Sequence, residues 1–392
     1  MKVAVLVTRF PVPPWRGDQL RAYHHLRVLA RRHELTCIAL VVRAPPRPAV
    51  AALEAMGVRV VIVRLGLAGA VGSLARVLAG DPRPLQLLAY ARRGARARVA
   101  RLVAGADVVH AQLVRTLAYV PERRPPGIVV DLVDALSANL ARRAAAEGGV
   151  RGRVVAWEAA RLRRCEGVLV ASGTPCLVVS ATERDAVDGR GDVRIVPNGV
   201  DLHAFAYRED GRPAARIVFA GNLGYFPNVE AARWLADDIL PRVRAAVPDA
   251  ELRLVGTRPA RAVRALAVRT GISLAASVPA MAPELAGATV AVVPLRAGSG
   301  LQNKVLEAMA TGTPVVATSR AVAGLAVRDG EHVVVADEAD AIAAATTALI
   351  RAPERARVLA RAGRALVERA YRWEDSAAAV EAAWRDALQK KP

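Results

Sequence analysis

The sequence predicts an α/β protein built from two doubly wound, parallel-sheet domains. Three observations carry this prediction. Short apolar runs of strand length alternate with helical stretches along the chain, which is the pattern of a parallel sheet with crossover helices. The alternation stops at the turn signal Pro197, Asn198, Gly199 and restarts after the polar stretch 202–214. Late in the chain, an apolar run at 290–295 leads into a glycine turn, a short helix, Gly312 and another apolar run.

In order, residues 2–8 read as a buried first strand, and 18–32 as a helix with Leu20, Tyr23, Leu26 and Leu29 on a 3.6-residue period. Further strands are expected at 35–42, 59–63, 106–110, 128–131, 168–171, 176–180 and 193–196. The arginine-rich stretch 92–101 reads as a solvated helix face. In the second half, strands are expected at 216–220, 252–255, 272–275, 290–293, 314–317 and 332–335, with helices at 228–246 and 260–270. Trp373, Ala377, Val380, Trp384 and Leu388 fall at helical spacing, so a last helix should bury one stripe.

At 392 residues, 53% hydrophobic and 23% charged, the chain is long and apolar enough for two cored domains. No run approaches the ~18 apolar residues of a membrane span. Residues 2–8 enter a strand with no basic and apolar leader ahead of them, and Cys37, Cys165 and Cys176 show no paired spacing. Both features lead to the expectation of a cytoplasmic protein. The net charge is +20, and it is uneven: residues 1–200 hold 31 Lys and Arg against 15 Asp and Glu, residues 201–392 hold 25 against 21. The basic first half is expected to meet an anionic partner, either a membrane surface or a lipid-linked acceptor. With aromatics at 4% and no binding module, nucleic acid is not the expected partner. No Gly-x-Gly-x-x-Gly follows the first strand, which disfavours a dinucleotide oxidoreductase, and no Asp-x-Asp metal motif is present.

The chemistry concentrates at 298–307. Gly298 and Gly300 form a turn that presents backbone N–H groups, through Leu301, Gln302 and Asn303, to an anion at a helix N-terminus. Glu307 falls on the face of Asn303, placed to accept from a vicinal diol. Lys304 is one of only four lysines in an arginine-rich chain, which singles it out as a flexible ammonium for a diphosphate. A nucleoside diphosphate sugar has both a diphosphate and a diol. His110 closes an expected strand at the carboxyl edge where α/β sheets place ligands, with Gln112 two residues on and Asp134 at the next edge, both expected to reach the acceptor.

The segment from Gly298 to Val316 resembles the donor-site signature of the retaining glycosyltransferases of family 4, which have the GT-B fold. Residues 2–8 with 13–18, 196–201 and 219–228 resemble other segments of that family, and the nearest likeness is to its exopolysaccharide and surface-glycan subgroup. The resemblance implies two Rossmann-like domains facing across a cleft. Residues 1–196, with a crossing helix at 373–390, would bind the acceptor, and 197–372 the nucleotide sugar, UDP- or GDP-linked. It implies no cofactor and no metal. Gly17 would let the backbone approach the donor phosphate, with Arg16 and Asp18 toward the acceptor and His110 lining the reaction centre. Gly221 and Asn222 open the donor domain. The family's acid eight residues before the Glu is Ser299 here, and its Arg and Lys after the second domain's first strand are missing from 221–228. Their task would pass to Lys304, the loop amides and Arg258. The alternative is a nucleotide-sugar 2-epimerase of the same architecture, for which no acid/base set is found.

Overall fold

The structure is a computed structural model that describes residues 1–66, 76, 80–121, 127–187, 191–298 and 300–389, with Ala146 described by its backbone alone. The chain divides into two compact units, Met1–Pro197 together with the chain from Ser376 on, and Asn198–Asp375.

Unit 1 holds β1 (Lys2–Val7), β2 (Glu34–Val41), β3 (Arg59–Arg64), β4 (Val108–Gln112), β5 (Gly127–Val133), β6 (Cys176–Val178) and β7 (Val193–Ile195). Their order is β3-β2-β1-β4-β5-β6-β7, and every pairing is parallel. The strands are apolar throughout because both sheet faces are covered. Along β1, Val3, Val5 and Val7 pack with Leu26, Leu29 and Trp384, while Ala4 and Leu6 pack on the other face with Val99, Val103 and Tyr119. Alternation of period two therefore feeds two separate cores from one strand.

Unit 2 holds β8 (Arg216–Asn222), β9 (Glu251–Thr257), β10 (Ile272–Ala276), β11 (Val290–Val293), β12 (Val315–Ala317) and β13 (Val334–Val335), again all parallel, in the order β10-β9-β8-β11-β12-β13. Each unit is a doubly wound sheet, as the sequence predicts. The strand order reverses between β1 and β4 in unit 1 and between β8 and β11 in unit 2. Loops leaving the carboxyl ends of such a pair diverge and open a crevice, the usual ligand position in this class.

Three expectations need correction. Residues 168–171 are not a strand but the last turn of the helix Gly149–Ala171. A four-residue apolar run carries no period of its own. Leu162, Glu166 and Val170 are buried while Val168 is 73% exposed, and that spacing is helical. The helix expected over 228–246 is a helix Phe226–Trp234, a π turn Leu235–Ile239 and a helix Leu240–Ala246. In the C-terminal helix Trp373–Gln389, Trp373, Ala377, Val380 and Trp384 are buried as expected, but Leu388 is exposed. Among the described residues no helix is long and apolar enough to cross a membrane.

Candidate functional site

In unit 2 the two loops at the switch point are 223–225, after β8, and 294–302, after β11. The second loop turns through Gly298 at φ +114° and Gly300 at φ +72°, and an added Cβ on Gly298 would meet Pro227 at 3.6 Å. It ends in the helix Asn303–Ala310, which stops at Thr311 before Gly312 turns at φ +74° into β12. Ser299 lies outside the described residues. Gln302 precedes the helix with no side-chain cap, and the amides of Asn303 and Lys304 donate to no acceptor among the described residues. The first turn of this helix is thus open to an anion.

Lys304 extends from that turn to the end of β8. Its Nζ donates to Asn228 Oδ1 at 2.6 Å and lies 4.9 Å from the centroid of the buried Phe219 ring. Asn228 Nδ2 donates in turn to Asn222 O at 2.9 Å. The amide is therefore pinned with its oxygen toward the ammonium. An added Cβ on Gly221 would sit 3.0 Å from Nζ. Lys304 thus places an ammonium beside Gly221, near the carboxyl end of β8. Asn228 was not among the expected site residues. Only its packing against Lys304 reveals it, since nothing in its sequence neighbourhood distinguishes it from an ordinary helix-start Asn.

Gly256 was also missed. It pairs with Gly221 across β8 and β9, and an added Cβ would lie 1.7 Å from Gly221 O. Its φ is +153°. The strands pinch together here, and only glycine fits. Arg258 follows at φ +52° and is exposed, with its carbonyl against Gly224, so it stands beside the same loop.

Glu307 lies one turn beyond Lys304 on the same helix and is partly buried. Among the described residues no protein donor reaches its carboxylate. Burial pushes its carboxyl up to about 7, partly offset by the nearby Lys304 charge. Burial likewise lowers the Lys304 ammonium to about 7, partly offset by Glu307. Two desolvated groups of opposite sign thus stand at one crevice, each with hydrogen-bonding capacity unused by the protein. Asn303, expected as a donor contact, accepts from Asn198 Nδ2 at 3.3 Å.

In unit 1 the residues assigned to the acceptor gather at the β1/β4 switch point. The helix Gly17–Leu29 starts at Gly17, where an added Cβ would meet nothing within 4 Å. Arg16 is exposed just before it. Asp18 accepts from Arg9 Nη1 at 2.9 Å, and its carbonyl accepts from Gln112 Nε2 at 2.9 Å. Gln112 is held as the last residue of β4. Asp134 follows β5 after Val133, a β-branched residue strained at φ +66°. Burial and the neighbouring Glu183 and Asp18 carboxylates push the Asp134 carboxyl up to about 7.

His110 is 4% exposed, and both ring nitrogens face protein. Nδ1 accepts from Trp384 Nε1 at 3.1 Å, and Nε2 lies 3.7 Å from Asp131 Oδ2. Asp131 also accepts from the fully buried Arg21 at 2.6 Å. This geometry makes His110 a brace between β4, β5 and the C-terminal helix. Among the described residues no cluster of His, Cys, Asp and Glu is arranged to hold a metal.

Residues 214–352 match the family described as glycosyl transferases group 1. The phosphatidyl-myo-inositol mannosyltransferases of Mycobacterium tuberculosis and Mycobacterium bovis are 34% identical to this chain over 160 residues, 38% of this chain and 42% of theirs. The match thus spans less than half the length of those relatives. Among solved structures, HepE of Anabaena, in complex with UDP and glucose, aligns over 100% of both chains with a TM-score of 0.70 at 14% identity. Sucrose-phosphate synthase of Thermosynechococcus elongatus aligns over 100% of both chains with a TM-score of 0.70 at 15% identity. These likenesses establish the fold.

Proposed function

We propose that this chain is a retaining glycosyltransferase of family 4 that moves a sugar from a nucleoside diphosphate sugar, UDP- or GDP-linked, to an acceptor hydroxyl in glycan or glycolipid assembly. The observation that carries the reading is the pairing of Lys304, aimed by Asn228, with the donor-free carboxylate of Glu307 beside open helix amides. The match of 214–352 to group 1 glycosyltransferases and the partial identity to mannosyltransferases support it.

In this reading the diphosphate lies against Lys304 Nζ and the amides around Asn303, near the turn at Gly298 and Gly300. The ribose hydroxyls donate to Glu307, whose desolvation they relieve. During transfer the bond from the sugar's anomeric carbon to the diphosphate oxygen breaks. The acceptor oxygen bonds to the same carbon on the same face, and its proton passes to the departing phosphate. Lys304 and the amides stabilise the charge that builds on the leaving group, a form of electrostatic catalysis. The loss of a buried carboxylate's or ammonium's partner is costly, so ligand and site stabilise each other. Unit 1 is the acceptor unit, through Arg16, Asp18, Gln112 and Asp134. His110 holds β4 in place rather than touching substrate.

The test is acceptor-dependent turnover with a panel of UDP- and GDP-sugars, with and without EDTA. Release of nucleoside diphosphate that needs an acceptor and survives EDTA supports the reading. Conversion of the nucleotide sugar alone would instead indicate an epimerase, and rescue of EDTA-treated protein by Mg²⁺ would contradict the role given to Lys304.

A further inference from the structure

We propose that unit 1 docks on an anionic phospholipid surface through the outer face of the helix Gly149–Ala171. The helix has 23 residues. Its inner face buries Gly152, Ala159, Leu162 and Val170.

Both of its carboxylates are turned inward and used. Glu158 accepts from the amides of Leu85 and Gln86 at 3.0 and 3.1 Å, capping the helix Leu85–Tyr90. Glu166 accepts from the amide and hydroxyl of Ser137. The exposed charges on this helix are therefore all positive, Arg151, Arg153, Arg163 and Arg164, and of these Arg153 and Arg164 lie on the outer face.

Beside Arg153 and Arg164 the helix presents apolar side chains to solvent. Val150 is 77% exposed, Val154 56%, Trp157 42% and Val168 73%. At about 100° per residue, these four positions fall within an arc of roughly 60° on the outer face. The Arg161 guanidinium stacks 4.3 Å from the Trp157 ring centroid and donates to the Arg83 carbonyl at 3.1 Å, so the indole is held in place. Valine is a poor choice for an exposed helix position, and three of them in one line have no role in a water-facing surface. An apolar stripe with an indole, rimmed by cations of one sign, suits the boundary between headgroups and acyl chains of an anionic bilayer. The excess of 31 basic over 15 acidic residues in 1–200 supplies a longer-range attraction of the same sign.

The experiment is flotation of the full chain with vesicles of phosphatidylcholine alone and with about 30% phosphatidylglycerol, at about 50 and about 300 mM salt. The wild type should bind the anionic vesicles at least tenfold more tightly than the neutral ones, and lose most of that binding at the higher salt. The variant Val150→Glu/Val154→Glu/Val168→Glu should bind at least tenfold more weakly, while melting and circular dichroism stay as in wild type because the positions are exposed. Arg153→Gln/Arg164→Gln should weaken binding to anionic vesicles and leave neutral vesicles unaffected. Absence of binding to anionic vesicles, or binding unmoved by the glutamates, would overturn the proposal. So would a concentration-dependent dimer that the glutamates abolish, since a second copy would then be what covers the stripe.

Discussion

Replacing Lys304 with methionine removes the ammonium and keeps the apolar stem. Among the described residues the ammonium has one hydrogen-bond acceptor, Asn228 Oδ1 at 2.6 Å, so two of its three N–H groups remain for a ligand. Burial removes much of its water and lowers its pKa to about 7. A hydrogen bond to a charged group contributes about 1.5–3 kcal/mol, and about 1.4 kcal/mol is tenfold in affinity. Lys304→Met should therefore weaken nucleoside diphosphate binding about 10- to 150-fold. The parent nucleoside, which has no phosphate, should bind the variant and the wild type alike. The unliganded variant should melt at or above the wild-type temperature at pH 6, because a desolvated charge has gone. Calorimetric titration with UDP, GDP and their nucleosides, beside thermal melts, reads all three quantities. A variant that binds the diphosphate within threefold of wild type, or that simply unfolds, would refute the assignment of Lys304 to the phosphates.

Glu307→Gln should weaken nucleoside diphosphate binding and also change the pH dependence of stability. The folded carboxyl is raised from 4.5 to about 7, so the stabilisation from its bound proton is present below pH 4.5 and lost as pH rises to about 7. Urea unfolding at pH 5 and pH 7 should show that difference shrink in the variant, by on the order of 1–2 kcal/mol; an unchanged difference would mean the carboxyl titrates normally. Gly256→Ala must displace the Gly221 carbonyl and should cost on the order of 3 kcal/mol, or about 6–12 °C in melting temperature. A variant as stable as wild type would show that β8 and β9 are not pinched. His110→Phe should cost about 1–3 kcal/mol of unfolding free energy through the lost Trp384 bond, yet leave the affinity for the donor nucleotide unchanged. Loss of nucleotide binding in a folded variant would return His110 to the site.

What the sequence made legible is local. The run from Val290 to Ala317 contains β11, the helix Asn303–Ala310 and β12 close to where apolar length and glycine punctuation put them. Glu307 and Lys304 stood out for their chemistry within that run. Long-range geometry stayed hidden. The contact between Asn228 and Lys304 joins positions 76 residues apart, and the Gly221–Gly256 pinch depends on strand register. His110 looked like a ligand-edge residue because the strand was expected to end there, whereas β4 runs on to Gln112. Its partner Trp384 comes from a helix 274 residues away, and no spacing rule announces it. The segment 168–171 was misread because it is short. Its four residues belong to a long helix whose period shows only when Leu162 and Glu166 are counted with it.

The position of a bound nucleotide sugar decides whether Lys304 and Glu307 form the donor site. A crystal structure of the chain with a UDP- or GDP-sugar measures this directly. Diphosphate oxygens should lie within hydrogen-bonding distance of Lys304 Nζ and of the amides at the start of the helix Asn303–Ala310, with the ribose hydroxyls on Glu307. A well-ordered nucleotide seated elsewhere, with this crevice empty, would contradict that assignment.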